Sequence, residues 1–479
     1  MTTNLCFRRK RPACAGRTGL AVLALVLAAD LRPALAQADA RADTSVFTVI
    51  VTRHGVRAPS DLSKSRYDWA DWGDGKPPRT KPDDLTAHGY RLMRLMGRFY
   101  GKIQGDKGLP VDCQRKTAYV YADTVQRTLG TAHALIEGLC GSPDGLPVFH
   151  AADAPDGDAK FKDPIFDATE WLAKQHKVDA VASRAAVAAV AGSPASSPVM
   201  QHKDAFSTFQ GLLDTRCSKG GCQPIASAAS VIEGDNLAGL KGPIGTASTY
   251  AEDVDLEFAQ CRPEDKMTSL DGKQLRAALL AGMRLHVLAY DVNARNAYNP
   301  LVRGGTLLTH IVAMLDRKAG RKEVLGRIEG PDLAGQTLVI FSGHDTQLGA
   351  LGGILSAHWI LEGGNAWDDM PPGSALIFDL VKRKGNEFGV HLGFVSMTPE
   401  DYRDEKPFTG PLASVHYSGC DASDCVMPLA QFESLALTLD AQGLVDPAWK
   451  DSSKHLSQDP GSAAGLKDPS WTERQCLGP

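Results

Sequence analysis

Two guanidiniums and an imidazole, released together where an apolar run ends, are the first residues in this sequence able to do chemistry. Val46 to Thr52 is apolar and β-branched, the pattern of a strand buried in a sheet. The run breaks abruptly at Arg53, His54, Gly55 and Arg57, followed by Pro59. Such a break delivers the charged groups to the C-terminal edge of a strand, where open α/β sheets bind ligands. Arginine forks match phosphate oxygens in pairs, and an imidazole between them could attack phosphorus. A bare Arg-His-Gly is more often a basic surface turn. The strand in front, with Arg57 and Pro59 behind, favours the chemical reading.

A second constellation lies far down the chain. Thr337 to Phe341 reads as another buried strand, ending in Gly343, His344 and Asp345 with a helix starting near Thr346. Between the two, Ala118 to Tyr121 reads as a strand followed by a helix that runs to about Leu139. Arg127 falls near the start of that helix, where the helix dipole and free amides favour an anion. Strand, polar residues and helix thus recur in one order three times.

Arg53 to Pro59 resembles the signature of the histidine acid phosphatases, in particular their bacterial periplasmic phytase-like branch. The resemblance extends to Arg127 with Asp123, which match the family's third phosphate-binding arginine, and to the His344-Asp345 pair. Gln347 departs from the asparagine usual after His-Asp-Thr. The similarity runs from about Val46 to the C-terminal cysteine and is weakest between Ser142 and Ala247. It implies a Rossmann-like, mostly parallel central sheet flanked by helices, with a smaller inserted helical domain. Ser60, Glu252 and Arg303 resemble substrate-pocket positions of this branch. For Glu252 an exposed helix carboxylate, and for Arg303 a loop cation, are equally consistent with the sequence.

The elements around these motifs set the expected organisation. Thr86 opens a helix in which Leu92, Met93, Leu95, Met96, Phe99 and Tyr100 recur at helical spacing. From about Ser142 to Pro300 the composition shifts to alanine-rich and helical stretches, with helices predicted over Lys203–Leu213, Thr249–Cys261 and Gln274–Leu288. This block is read as an inserted, mainly helical domain over residues 142–300. The α/β phosphatase domain then comprises residues 44–141 and 301–479. Ser374 to Val381 and Glu387 to Val395 alternate as paired strands joined by a turn at Lys384–Asn386.

Residues 1–36 have the three parts of a secretory signal: Arg8 to Arg11 as a positive start, Leu20 to Ala29 as an apolar stretch, and small residues up to Ala36. The paired Arg8 and Arg9 leave both the general and the twin-arginine export routes open. No later run is apolar and long enough to span a membrane. The expectation is a periplasmic or secreted monomer. Met1–Ala36 holds six basic residues and one acid, so its removal takes the formal charge from −4 to −9. An acidic chain gives no support to a nucleic-acid partner. A small phosphorylated substrate would instead need a local basic pocket.

Eight of the ten cysteines lie beyond residue 36, an even number suited to disulfides in an oxidising compartment. Cys217 with Cys222, and Cys420 with Cys425, are close enough to close small loops, and Cys113 and Cys140 flank a strand-helix unit. The resemblance supports these three pairings and leaves Cys261 and Cys476 as a pair by elimination. No cysteine pair has the neighbours of a zinc site, and no metal or other cofactor is expected.

The resemblance implies a phosphomonoesterase in which Arg53, Arg57, Arg127 and His344 surround the phosphate oxygens. His54 would attack to form a phosphohistidine, and Asp345 would protonate the leaving alcohol and then activate water. Phosphoglycerate-mutase-like transferases share Arg-His-Gly but use a glutamate elsewhere as acid and are cytosolic. A non-catalytic phosphate-ester binding protein would be expected to lack His54 or Asp345. Within the phosphatases, glucose-1-phosphatase and phosphoanhydride phosphatase are the alternatives to a phytase-like enzyme. Ser60 is followed by Asp61 where phytases carry a lysine, which should weaken binding of a many-phosphate substrate such as inositol hexakisphosphate. Val56 and Thr346, on the other hand, do not match the glucose-1-phosphatase pattern.

Overall fold

The alternation of side chains along the first strand decides how the chain layers. The computed structural model describes Asp43 to Ser452, apart from residues 61–64, 66, 71, 73–80, 153–161, 218–221, 362, 364, 411 and 418–424, together with Leu466. The expected signal segment, Asp61, Cys420 and Cys476 therefore lie outside the described residues. In β1 (Thr44–Arg53), Phe47, Val49 and Val51 join one hydrophobic cluster and Ile50 another, so both faces of the strand are buried. Burial on both faces is what a near-continuous apolar run signifies.

The sheet is built from β1, β2 (Ala118–Ala122), β3 (Val148–Phe149), β4 (Leu338–Gly343), β5 (His358–Trp359), β6 (Ala375–Lys382), β7 (Phe388–Val395), β8 (Ala413–His416) and β9 (Val426–Pro428). Its order is β3-β2-β4-β1-β6-β7-β8-β5, with β9 against β7. β3, β2, β4 and β1 pair in parallel, and β6 to β9 and β5 continue the sheet in antiparallel pairs. β1 to β4, β5 and β7 all point the same way, so the fold is α/β with a mostly parallel sheet.

Helices cover both faces. On one side lie α1 (Ala87–Asp106) and α2 (Gln126–Cys140), whose Leu92, Met93, Met96, Leu129 and Ile136 pack against Ile50, Val120 and Ile340. The methionines are core residues, as helical spacing predicts. Thr86 is the N-cap of α1, its side chain accepting the Gly89 amide.

Between β3 and β4 in the chain come α3 (Pro243–Ala259) and α4 (Gly272–Asn293). With the helices Ala180–Ala191 and Lys203–Asp214 they form further clusters around Phe209, Leu212, Val254, Phe258 and Leu275, and around Val187, Ile244 and Val292. The block, expected to be mainly helical, also holds a hairpin, Val231–Glu233 with Gly239–Lys241. The opposite face of the sheet carries α5 (Asn299–Lys318), α6 (Asp345–Leu355) and α7 (Leu429–Ala441). α5 and α7 come in addition to the expected elements.

Cys113–Cys140 and Cys217–Cys222 are disulfides, as expected. Cys261 and Cys425 are also disulfide-bonded, and their expected partners are Cys476 and Cys420. No described helix is long and apolar enough to cross a membrane.

The α1–α2 contact depends on two glycines inside helices, where glycine is otherwise unfavourable. A Cβ on Gly97 would stand 2.3 Å from the Leu135 carbonyl oxygen, and one on Gly138 would stand 2.2 Å from that of Arg94. Both obstacles are backbone, so the helices would have to separate. Gly138→Ala should therefore destabilise the protein by about 1–3 kcal/mol despite the better helix propensity of alanine. Urea unfolding checks this, and a stabilised variant would contradict the close approach.

Candidate active site

Parallel pairing brings the two distant motifs to one edge. Arg53 is in register with Gly343, and the His54 amide donates to the Gly343 carbonyl at 2.9 Å. On the other flank of β4, the Asp123 amide donates to Ser342 O at 3.0 Å, so α2 starts beside α6. The three strand ends leave Arg53, His54, Arg57, Arg127, His344 and Asp345 around one place.

A cavity of about 280 Å³ occupies this edge, and His54, Arg57, Arg127, Glu252, Arg303, His344 and Asp345 line it. Arg53 does not line it: it is 1% exposed and is tied to Glu252 and Asp345, which do. Its guanidinium donates to the Met370 carbonyl at 2.6 Å, pairs with Asp345 Oδ2 at 3.0 Å, and is hydrogen-bonded to Glu252. Burial alone would weaken its hold on a proton, but Asp345 and Glu252 prevail and keep its pKa above the ordinary value.

Arg57 reaches Asp83 at 3.2 Å and the second Glu252 oxygen at 3.2 Å. Glu252 thus bridges both signature arginines, and despite burial Arg57 and Arg53 hold its pKa down. An exposed helix carboxylate does not describe it. Arg303 lies inside α5 and lines the cavity, so it is not a loop cation.

Ser60 does not line the cavity. Its hydroxyl donates to Asp83 at 3.1 Å and so acts on Arg57 at one remove.

The two imidazoles are fixed in different ways. His54 Nδ1–H donates to the Gly55 carbonyl at 2.9 Å, which leaves Nε2 with its lone pair. Burial first, then Arg127, Arg53, His344 and Arg57, hold the His54 pKa well below the usual imidazole value. His344 stands edge-to-face with it, ring centroids 5.4 Å apart, and donates from Nε2 to Asp123 Oδ2 at 2.8 Å. Burial would raise the Asp123 pKa, but this bond together with the His344 charge, the Thr124 amide and Lys162 lowers it. The His344 amide donates to Gln347 Oε1 at 2.7 Å, and the Gln347 amide nitrogen donates to Phe166 O at 2.7 Å. The longer glutamine therefore spans from the helix start to a neighbouring segment.

Burial would raise the Asp345 pKa, but Arg53, followed by His286, Tyr290 and His344, brings it well below the usual carboxylate range. Arg127 has its pKa lowered by burial and by Arg57, and its Nε has no hydrogen-bond partner.

Several lining residues carried no signal of their own in the sequence: Lys162, Asp163, Phe166 and Tyr290. Asp163 accepts from the Tyr121 hydroxyl at 2.8 Å, and burial pushes its pKa up to about 7. Among the described residues no group of three or more His, Cys, Asp or Glu could hold a metal ion.

No family model matches the chain. Phytase AppA of Escherichia coli K12 is 27% identical over 389 residues, covering 75% of this chain and 82% of that protein. The Hafnia alvei phytase solved with tartrate superposes with a TM-score of 0.68 at 26% identity, covering 83% of this chain and 97% of the other. In sequence and fold the chain is thus similar to phytases of the histidine acid phosphatase family. A glucose-1-phosphatase of Providencia rettgeri is a further relative, 23% identical over 272 residues, covering 51% of this chain and 58% of that protein.

One carboxyl beside the site gives this acid phosphatase a distinctive pH response. Asp253, next to Glu252 in α3, is 1% exposed and its Oδ2 has no partner. Burial, then Glu252, pushes its pKa up to about 8. A folded pKa above the unfolded one means that stability is complete below the unfolded value near 4 and declines as pH rises toward 8. Asp253→Asn should leave the thermal midpoint at pH 4 nearly unchanged and stabilise the protein at pH 8 by about 1 kcal/mol or more. Equal effects at both pH values would show that Asp253 is not protonated in the fold.

Proposed function

We propose that this protein is a phytase-like acid phosphatase that hydrolyses phosphate monoesters through a phosphohistidine intermediate. The observation that carries the reading is His54: its Nδ1 is occupied by a backbone carbonyl, which leaves Nε2 free, and the ring lines a pocket with Arg57, Arg127 and His344. A neutral ring with a fixed tautomer is a competent nucleophile, and the low His54 pKa keeps it neutral in acid.

In the proposed first step His54 Nε2 forms a bond to phosphorus as the ester P–O bond breaks, and Asp345 gives its proton to the departing oxygen. Arg53, Arg57, Arg127, Arg303 and His344 stabilise the charge spread over the phosphoryl oxygens. In the second step water attacks phosphorus, passes a proton to Asp345, and the P–N bond breaks to free His54. The five cationic groups make a metal unnecessary for neutralising that charge, and no cofactor enters the scheme. Ser60 acts through Asp83 on Arg57, and Glu252 holds Arg53 and Arg57 in place.

Export to the periplasm or the medium is part of the proposal, supported by the disulfides and by the signal-like start of the sequence. So is a monomeric state acting on a small phosphorylated substrate, without a nucleic-acid partner. The inserted helical domain over residues 142–300 is supported by its separate apolar clusters, although Val148–Phe149 within it adds an edge strand to the sheet.

His54→Ala should reduce phosphatase activity to near background without lowering the thermal midpoint by more than a few degrees. Rapid acid-free quenching with labelled substrate should trap an acid-labile phosphoenzyme in the parent alone. Normal turnover in the variant would end this reading.

Asp345→Asn should slow alkyl esters by a factor within roughly 10²–10⁴ and p-nitrophenyl phosphate far less, because p-nitrophenolate leaves without a proton. Phytate, glucose-1-phosphate and p-nitrophenyl phosphate, compared at several acidic pH values, rank the substrates. If both ester types suffer equally in Asp345→Asn, the proton donor is another group.

A further inference from the structure

One buried amide joins two walls of the catalytic cavity that are far apart in sequence. Gln347 lies in the first turn of α6, lines the cavity and is 2% exposed. Its Oε1 accepts from the His344 amide at 2.7 Å, and its Nε2 donates to the Phe166 carbonyl at 2.7 Å. Only this orientation of the amide satisfies both partners, since one offers a proton and the other a lone pair. The surroundings are tight. A Cβ on Gly343 would come 2.9 Å from Gln347 Oε1 and 2.9 Å from Phe166 Cδ1, so strand end, glutamine and ring close on one another.

The far end of this tie is itself anchored. Asp163 accepts from the Tyr121 hydroxyl at 2.8 Å through Oδ2 and from the Ile165 amide at 3.0 Å through Oδ1. The Asp163 carbonyl accepts from the Phe166 amide at 2.9 Å, and the Phe166 ring stacks on Tyr121 with centroids 5.9 Å apart. Tyr121 belongs to β2, so the carbonyl that Gln347 grips is fixed to the sheet.

We propose that Gln347 is the positioning residue of His344: it fastens the His344 backbone to the anchored Phe166 segment and so sets the imidazole against the phosphoryl oxygens. The inference rests on the proposed hydrolysis and adds to it. Asp123 holds the tip of the His344 ring through Nε2 at 2.8 Å. Gln347 holds the peptide from which that ring projects, so His344 is fixed at both ends. A helix cap needs only the first of the two glutamine bonds. The second, to a carbonyl in another segment, turns the cap into a brace. An asparagine is one methylene shorter and could keep either bond, but not both, across this span.

The test uses Gln347→Met, of similar length but without the amide, and Gln347→Glu, which keeps the amide's shape, both in the full-length protein. A protonated glutamic acid can accept from His344 and donate to Phe166, whereas the carboxylate has no proton to give. Turnover of glycerol 2-phosphate and p-nitrophenyl phosphate is measured against pH, well below each variant's thermal midpoint. Gln347→Met should lower turnover of both esters alike, by roughly 10-fold to 100-fold at every pH, because His344 serves the oxygens common to both. Gln347→Glu should recover most of that loss in acid and forfeit it as the new carboxyl ionises, moving the alkaline limb of both profiles to lower pH. Asp123, Lys162, Asp163, Asp167, His344 and Asp345 also carry charge along the cavity. All six are common to the three proteins, so a limb that moves in Gln347→Glu alone reports on position 347. In the His344→Ala background, Gln347→Met should add less than about 2-fold. A purely structural role would lower the thermal midpoints and leave turnover of the folded variants unchanged. Unchanged turnover in Gln347→Met, an unmoved limb in Gln347→Glu, unequal losses on the two esters, or full additivity with His344→Ala would each overturn the assignment. His54→Ala separates this from the larger reading, since turnover retained there fails the hydrolysis scheme whatever Gln347 does.

Discussion

A guanidinium buried at the end of a parallel strand dictates much of the architecture around it. Arg53 is almost fully enclosed, and an enclosed cation costs several kcal/mol unless it is paired and hydrogen-bonded. Its partners come from separate parts of the chain: Glu252 from α3, Asp345 from the first turn of α6, and the Met370 carbonyl from the approach to β6. Each partner must arrive at one point, so the ends of β1, α3, α6 and β6 are bound to converge. Glu252 extends the constraint to Arg57, whose other partner Asp83 is joined to Ser60. In this way the helical segment reaches the edge of the sheet through a carboxylate rather than through apolar packing alone.

The same concentration of charge would prepare His54 for its proposed role as nucleophile. An ordinary imidazole titrates near neutrality and would be protonated in acid, where it has no lone pair to offer. At His54, burial and the three arginines make protonation unfavourable. The groups that would hold a phosphate therefore also keep the attacking nitrogen unprotonated, and the two properties cannot be tuned apart. Asp123 plays the complementary part on the far side, giving His344 an anionic hydrogen-bond partner.

What could be read from the sequence follows a physical division. Val46 to Thr52 and Thr337 to Phe341 are apolar enough to announce buried strands, and the charged residues that end them can only fall on a sheet edge. Arg53, His54, Arg57, Arg127, His344 and Asp345 were legible for that reason. Glu252 and Arg303 were ambiguous because a helix has several faces and their neighbours do not reveal which one meets the pocket. Tyr290 carried no signal at all. Its place in the cavity depends on the contact between α4 and α6 and on the space left by Gly349, and neither is local in sequence. The hairpin at Val231–Lys241 was missed since three-residue strands are too short to show a period.

The ionisation of Asp345 links these features to the acidity at which such a site can work. In the empty pocket Arg53 keeps this carboxyl deprotonated, the wrong state for a proton donor. In the proposed reaction a phosphate ester entering the pocket draws on the charge of Arg53 and adds negative charge beside the carboxyl. Both changes raise the affinity of Asp345 for a proton, by the same rules that lower it when the pocket is empty. The donor is thus charged by the substrate: a proton arrives with a monoanionic ester or is drawn from an acidic solution as the ester binds. At higher pH neither source is available, and the carboxylate is left to repel the phosphate it should assist. Acid dependence then belongs to the bound state of the site and cannot be read from the pKa of any one residue in its empty form.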